Sequence, residues 1–125
     1  MYGAFDPRVE RVQNRYVDAC AVTVTAGSEE EAQAVADALL DARLAACVQI
    51  GGPVTSHYWW QGRRETATEW VCLVKTRESL LDEVVAAVRT VHSYDVPEIV
   101  ATPVTGGDAA YLEWLMATAS GRGGL

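Results

Sequence analysis

Hydrophobic and polar positions follow one another along this chain in an order that predicts most of its elements. From Val17 to Thr25, the β-branched residues Val17, Val22, Thr23, Val24 and Thr25 are joined by one charge, Asp18, near the start, which predicts a central strand. Ser28 and Glu31 then make a capping box, and Ala32, Val35, Ala36, Leu39, Leu40 and Leu44 recur behind it at helical spacing. Strand character returns over Ala46–Ile50, breaks at Gly51-Gly52-Pro53 and resumes over Val54–Gln61. A proline inside a strand requires a bulge or an edge, so this strand is expected to be bent. Gly62 supplies a turn, and Glu65–Thr76 runs back with Trp70, Cys72 and Val74 on one face and Val71 and Leu73 on the other.

A second helix is predicted from about Ser79 to about His92, with Leu80, Leu81, Val84, Val85, Val88 and Val91 on its buried stripe. Its acidic start, Glu78, Asp82 and Glu83, complements the helix dipole. Pro97–Val104 has prolines at 97 and 103 and reads as an edge strand. Gly106-Gly107-Asp108 reads as a turn, with Asp108 capping a short last helix that contains Tyr111, Leu112, Trp114, Leu115 and Met116.

The order βαββαβ, then α, with right-handed crossovers, predicts an α/β (α+β) fold: a ferredoxin-like sandwich of a four-stranded antiparallel sheet with both main helices on one face. The other face is then bare, and a bare face with large apolar residues is a docking surface. One domain is expected over residues 16–119, between a frayed leader, 1–15, and a frayed tail, 120–125. A domain of this size is about 36 Å across, whereas the twelve residues from Glu65 to Thr76 span about 40 Å as a strand. The hairpin should therefore overhang, carrying Tyr58, Trp59 and Trp60 with it. Neighbouring subunits would cover those rings; the alternative is that Trp59 turns into its own core while Tyr58 and Trp60 make cross-strand pairs.

Composition changes this picture little. The 125 residues are 50% hydrophobic, and the net charge of −7, with ten scattered Lys and Arg, argues against nucleic acid as a partner. The first sixteen residues lack the apolar stretch of a signal peptide, and no apolar run approaches the ~18 residues of a membrane span. Three cysteines, 20, 47 and 72, without a Cys-x-x-Cys pair, read as reduced thiols, so a cytoplasmic location is expected and no membrane partner.

Several separate segments, taken in order, resemble one family. They are Arg43-Leu44-Ala45-Ala46-Cys47-Val48, Tyr58-Trp59-Trp60-Gln61-Gly62, Lys75-Thr76, His92-Ser93-Tyr94-Asp95-Val96-Pro97-Glu98-Ile99 and Tyr111-Leu112-Glu113-Trp114-Leu115. Over about Val22 to Leu115 they are similar to the CutA divalent-cation tolerance proteins. The resemblance implies a homotrimer of ferredoxin-like subunits, PII-like in plan, with an extended hairpin locking each sheet to the next. It also implies divalent cation tolerance, with copper or another divalent metal ion as the bound species. The chain departs from the family's pattern in having Ser93 where a proline is usual and Gln49 where an asparagine is usual. Loss of the proline frees φ at 93 and bears on how rigidly His92 is presented.

Cys47 and His92 have the donor softness that copper or zinc prefers, and His57, Asp95 and Glu98 are further ligand candidates. The other role for Cys47 is that of a small apolar residue on a strand, and for His92 that of a helix-end residue bonding nearby carbonyls. The resemblance also places Trp60, Lys75, Tyr94 and Glu98 around an intersubunit cleft. A lysine after Val71-Cys72-Leu73-Val74 either points outward from the sheet or meets a carboxylate such as Glu98; paired there, it would suit a small anionic ligand. No Ser-His-Asp pattern, P-loop or G-x-G-x-x-G is present, so no catalytic residue is assigned and no enzyme is expected. The expected function is copper binding and metal response as a homotrimer; the alternative is a PII-like small-molecule sensor or scaffold with ligand clefts between subunits.

Overall fold

A computed structural model describes residues 9–11 and 18–121. Its elements are β1 (Val9–Arg11), β2 (Ala19–Ala26), α1 (Glu29–Asp41), β3 (Cys47–Trp60), β4 (Arg63–Arg77), a 3₁₀ turn (Glu78–Leu80), α2 (Leu81–Val91), β5 (Ile99–Pro103), β6 (Gly106–Asp108) and α3 (Ala109–Thr118). The main sheet is antiparallel in the order β3-β4-β2-β5. β2 is central and the proline-flanked β5 is an edge, as the chain pattern predicts.

Strand alternation divides the sheet. Cys20, Val22, Val24, Cys72 and Val74 point to one face, where they are buried with Val35, Leu39, Val84 and Val88 of α1 and α2. The opposite face is not entirely bare, contrary to expectation. Ala19, one residue out of phase with Cys20, is buried against Leu112 and Leu115, so α3 folds over that end of the sheet. α3 starts there because Asp108 accepts a hydrogen bond from the Tyr111 amide at 3.0 Å.

The Gly-Gly-Asp segment before it is a strand rather than only a turn. β6 pairs antiparallel with β1, Val9 opposite Asp108 and Arg11 opposite Gly106. Three positions of the expected leader are therefore ordered as β1, and the rest of it lies outside the described residues. In the expected tail the Gly121 amide donates to the Arg43 carbonyl at 2.9 Å, while 122–125 lie outside the described residues.

That carbonyl belongs to the end of α1. The amides of Arg43 and Leu44 bond back to Leu40 and Leu39, with Arg43 left-handed at φ 59, the pattern of a Schellman stop. Leu44, expected on the helical stripe, is instead the apolar residue just past this stop. It is fully buried, and its carbonyl accepts from the Thr76 hydroxyl at 2.6 Å.

The long hairpin joins the two longest strands. Its turn has positive φ at both Gln61 and Gly62, the backbone twist that a two-residue hairpin loop needs. Its bend is where Pro53 predicts it: the β3–β4 register shifts between Gly51 and Val54, and β3 is also an edge strand. Gly52 makes the bend sterically possible. Its φ is +140, and a Cβ there would lie 3.1 Å from the Glu69 carbonyl oxygen and 3.2 Å from Trp70 Cα.

Candidate functional site

β2 ends opposite Trp70, whereas β4 starts at Arg63, so the seven rungs from Val54–Glu69 to Trp60–Arg63 have no third strand beside them. This is the predicted overhang. Directly paired residues share a face, which puts Val54, Ser56, Tyr58 and Trp60 on the same side as Glu69. Thr25, opposite Val71, is on that side too. The segment after α2 wraps around the end of β2 and closes a cleft of about 580 Å³. Thr25 and Glu69 form its floor. Ser56, His57, Tyr58 and Trp60 make one wall, and Tyr94, Asp95, Val96 and Glu98 make the other.

A hydrogen-bond relay from the end of β2 holds the second wall. The His92 ring stands at the C-terminus of α2 with its side chain fully buried. Its Nε2 is 2.6 Å from the Thr25 carbonyl, which can only accept, so Nε2 carries the proton and Nδ1 accepts the Tyr94 amide at 3.1 Å. The His92 and Tyr94 rings meet edge to face, with centroids 4.8 Å apart. The Tyr94 hydroxyl then donates to Glu69 Oε2 at 3.1 Å. Burial, together with the Glu69 hydrogen bond and nearby negative charge, pushes the Tyr94 phenol up to about 12, so it remains a donor. Gly27 admits this ring, because a Cβ there would come within 3.1 Å of the hydroxyl oxygen.

Ser93 is tied down as well. Its amide, a donor that proline lacks, bonds Glu31 Oε1, while Glu31 Oε2 accepts the Gly27 amide at 3.4 Å. Burial alone would raise the Glu31 carboxyl. The bonds from Ser93, the neighbouring His92 ring and the Gly27 amide outweigh it and hold the carboxyl below its usual 4.5. The loss of the family's usual proline therefore does not loosen His92.

Of the four residues expected around a cleft, the fold brings Trp60, Tyr94 and Glu98 together and leaves Lys75 elsewhere. Lys75 is six residues along β4 from Glu69, roughly 20 Å away, and donates to Gln49 Oε1 at 2.9 Å. It does not meet Glu98. Among the described residues no lysine or arginine of the same chain lines the cleft. The sequence reading did not assign Glu69 or Thr25. One signal was available for Glu69: a carboxylate two residues before Val71 on the same face of a half-buried strand.

Cys47 and His92 are also far apart within the chain. Cys47 pairs with Lys75 at the start of β3, near Tyr111 of α3, while His92 bonds Thr25, whose strand partner is Val71. Four residues of β4, about 13 Å, separate those two levels of the sheet. Both ring nitrogens of His92 are engaged, whereas Cys47 is partly exposed. Among the described residues no three of His, Cys, Asp and Glu are grouped to hold a metal ion. The described donors of one chain do not form a metal centre by themselves.

Comparison with known proteins agrees with this architecture. Residues 20–118 match the model of the family described as CutA1 divalent ion tolerance protein. A divalent-cation tolerance protein CutA of Archaeoglobus fulgidus is 44% identical over 94 residues, covering 75% of this chain and 91% of that protein. The chloroplastic protein CutA 1 of Oryza sativa is 43% identical over 99 residues, 79% of this chain but only 56% of that protein, so the chain spans little more than half of its plant relative. The solved divalent cation tolerance protein Cut A1 of Thermus thermophilus superposes with a TM-score of 0.79 at 42% identity, covering 80% of this chain and 97% of that one. By sequence across nearly the whole described domain, and by backbone shape, the chain belongs to the CutA1 divalent ion tolerance family.

Proposed function

We propose that this protein acts as a homotrimer in divalent-cation tolerance, binding copper or another divalent metal ion, and that it is a binding protein of the cytoplasm rather than an enzyme. The observation that carries the assembly is the overhanging hairpin. Trp59 is 69% exposed and Trp60 48%, and rings of that size exposed together on an unsupported ribbon favour burial against a neighbour. The alternative, Trp59 turned into its own core, does not fit that exposure. The three free thiols are consistent with a reducing compartment.

Family membership supports the metal reading, and the geometry shapes it. Cys47 is the accessible soft donor, and a site that also uses His92 needs a second subunit and the release of one His92 hydrogen bond. Calorimetric titration of the purified oligomer with copper and zinc tests this. Saturable binding that Cys47→Ala weakens supports the reading; binding that is absent, or unchanged in Cys47→Ala and His92→Ala, counts against it.

The cleft favours a second reading, a PII-like sensor or scaffold that takes a small molecule. A screen of charged metabolites by thermal shift checks it, since a ligand that binds only the folded protein raises the melting temperature by linkage.

A further inference from the structure

The cleft beside the hairpin has a chemistry of its own, distinct from that of a metal centre. Three acidic residues, Glu69, Asp95 and Glu98, line it together with His57 and three aromatic residues, Tyr58, Trp60 and Tyr94. Glu69 is only 7% exposed, and among the described residues its carboxylate has one hydrogen-bond donor, Tyr94, at 3.1 Å. A carboxylate has room for several donors, so one bond leaves most of its accepting capacity for whatever enters the cleft. No lysine or arginine of the described residues lines the cleft to use it: Lys75 bonds Gln49, and Arg89 donates to the Asp95 backbone carbonyl at 3.3 Å.

From this juxtaposition we infer that the cleft is a site for a small organic cation, an alkylammonium or guanidinium group seated on Glu69 and enclosed by Trp60, Tyr58 and Tyr94. The inference rests on the second reading above, that the cleft takes a small molecule, and names its chemical class. A volume of about 580 Å³ is that of a small-molecule site, many times larger than a bare ion. The acidic groups are not clustered closely enough to coordinate a metal, since no metal-holding group of three is found among the described residues. Ring faces attract organic cations through their quadrupole and give a hydrated inorganic ion little. An anion would meet three acidic residues and, among the described residues of the chain, no lysine or arginine. The same hairpin already holds one such contact, with the Arg64 guanidinium 5.5 Å from the centroid of the Trp59 ring.

Titration of the ¹⁵N-labelled purified oligomer, followed by amide and indole resonances, tests this with 1,4-diaminobutane, agmatine and tetramethylammonium as probes and glutarate and magnesium as controls. At least one organic cation should give saturable shifts at Trp60, Tyr94 and Glu98. Glu69→Gln keeps the shape of the side chain and an acceptor for Tyr94, and should weaken that binding at least about tenfold. Trp60→Leu should weaken it too, and Lys75→Met should leave it unchanged. Should Glu69→Gln fail to fold, Glu98→Gln with Trp60→Leu carries the same comparison. Shifts with glutarate alone would overturn the charge class while keeping the small-molecule reading. Magnesium acting as well as the organic probes, or binding unchanged in the cleft variants, would overturn the inference. No shifts with any probe, as when a neighbour's chain fills the cleft, would overturn both.

Discussion

At the scale of single residues, two positions carry much of the architecture. Gly52 combines a φ of +140 with a backbone approach too close for a Cβ. Gly52→Ala is expected to destabilise the protein by about 2 kcal/mol, seen as a lower denaturant midpoint with an unchanged slope. Glu31 gives a pH signature. Its folded-state pKa is depressed, so its contribution to stability is present above its ordinary value of 4.5 and is lost as the pH falls through the lower folded value. Glu31→Gln should flatten the acid limb of a plot of urea midpoint against pH. Ser93→Pro, which removes the amide donor to Glu31, should flatten it in part. The role of Ser93 was not legible in the sequence, where the missing proline suggested looseness; its amide's partner is 62 positions away. Family resemblance singled out Tyr94 and Glu98, which line the same cleft of one chain as Glu69; Glu69 itself was not singled out, because a lone glutamate on a strand looks like any solvent-facing residue until its ring partner is placed.

Among elements, legibility followed how local the cause was. The Ser28–Glu31 box is local, and the structure has Ser28 Oγ accepting the Glu31 amide at 3.1 Å. Ser28→Ala should cost about 1 kcal/mol in thermal or denaturant unfolding. The start of the second helix was less local. The Ser79 amide bonds Asp18 Oδ2 at 3.3 Å and the Glu78 amide bonds the Asp18 carbonyl at 2.8 Å, so a residue just ahead of β2 anchors this turn. No pattern within the helix could announce that. The β1–β6 pair escaped for a related reason: three-residue strands that include two glycines have no alternation to read. The hairpin was visible down to its bend, because Pro53 and the alternation of Trp70–Val74 constrain it from both sides.

For the whole molecule, the overhang could be predicted by comparing strand length with domain diameter, and the structure shows it directly. What the ribbon docks against could not be read from one chain, since that depends on where a second copy places its own surface. If the exposed indoles drive the proposed assembly, replacing both Trp59 and Trp60 with serine should move the sedimenting mass toward a single subunit at dilute concentration, with the secondary structure kept in circular dichroism. The bend in β3 has a further consequence for assembly. A straight, uninterrupted sheet margin offers each newcomer the same row of amides and carbonyls, and a stack grown that way has no last member. The register break divides this margin into a stub, Cys47–Gly51, and a ribbon, Val54–Trp60, out of register with each other. An incoming strand can follow only one of them, which favours a closed ring over an endless fibre.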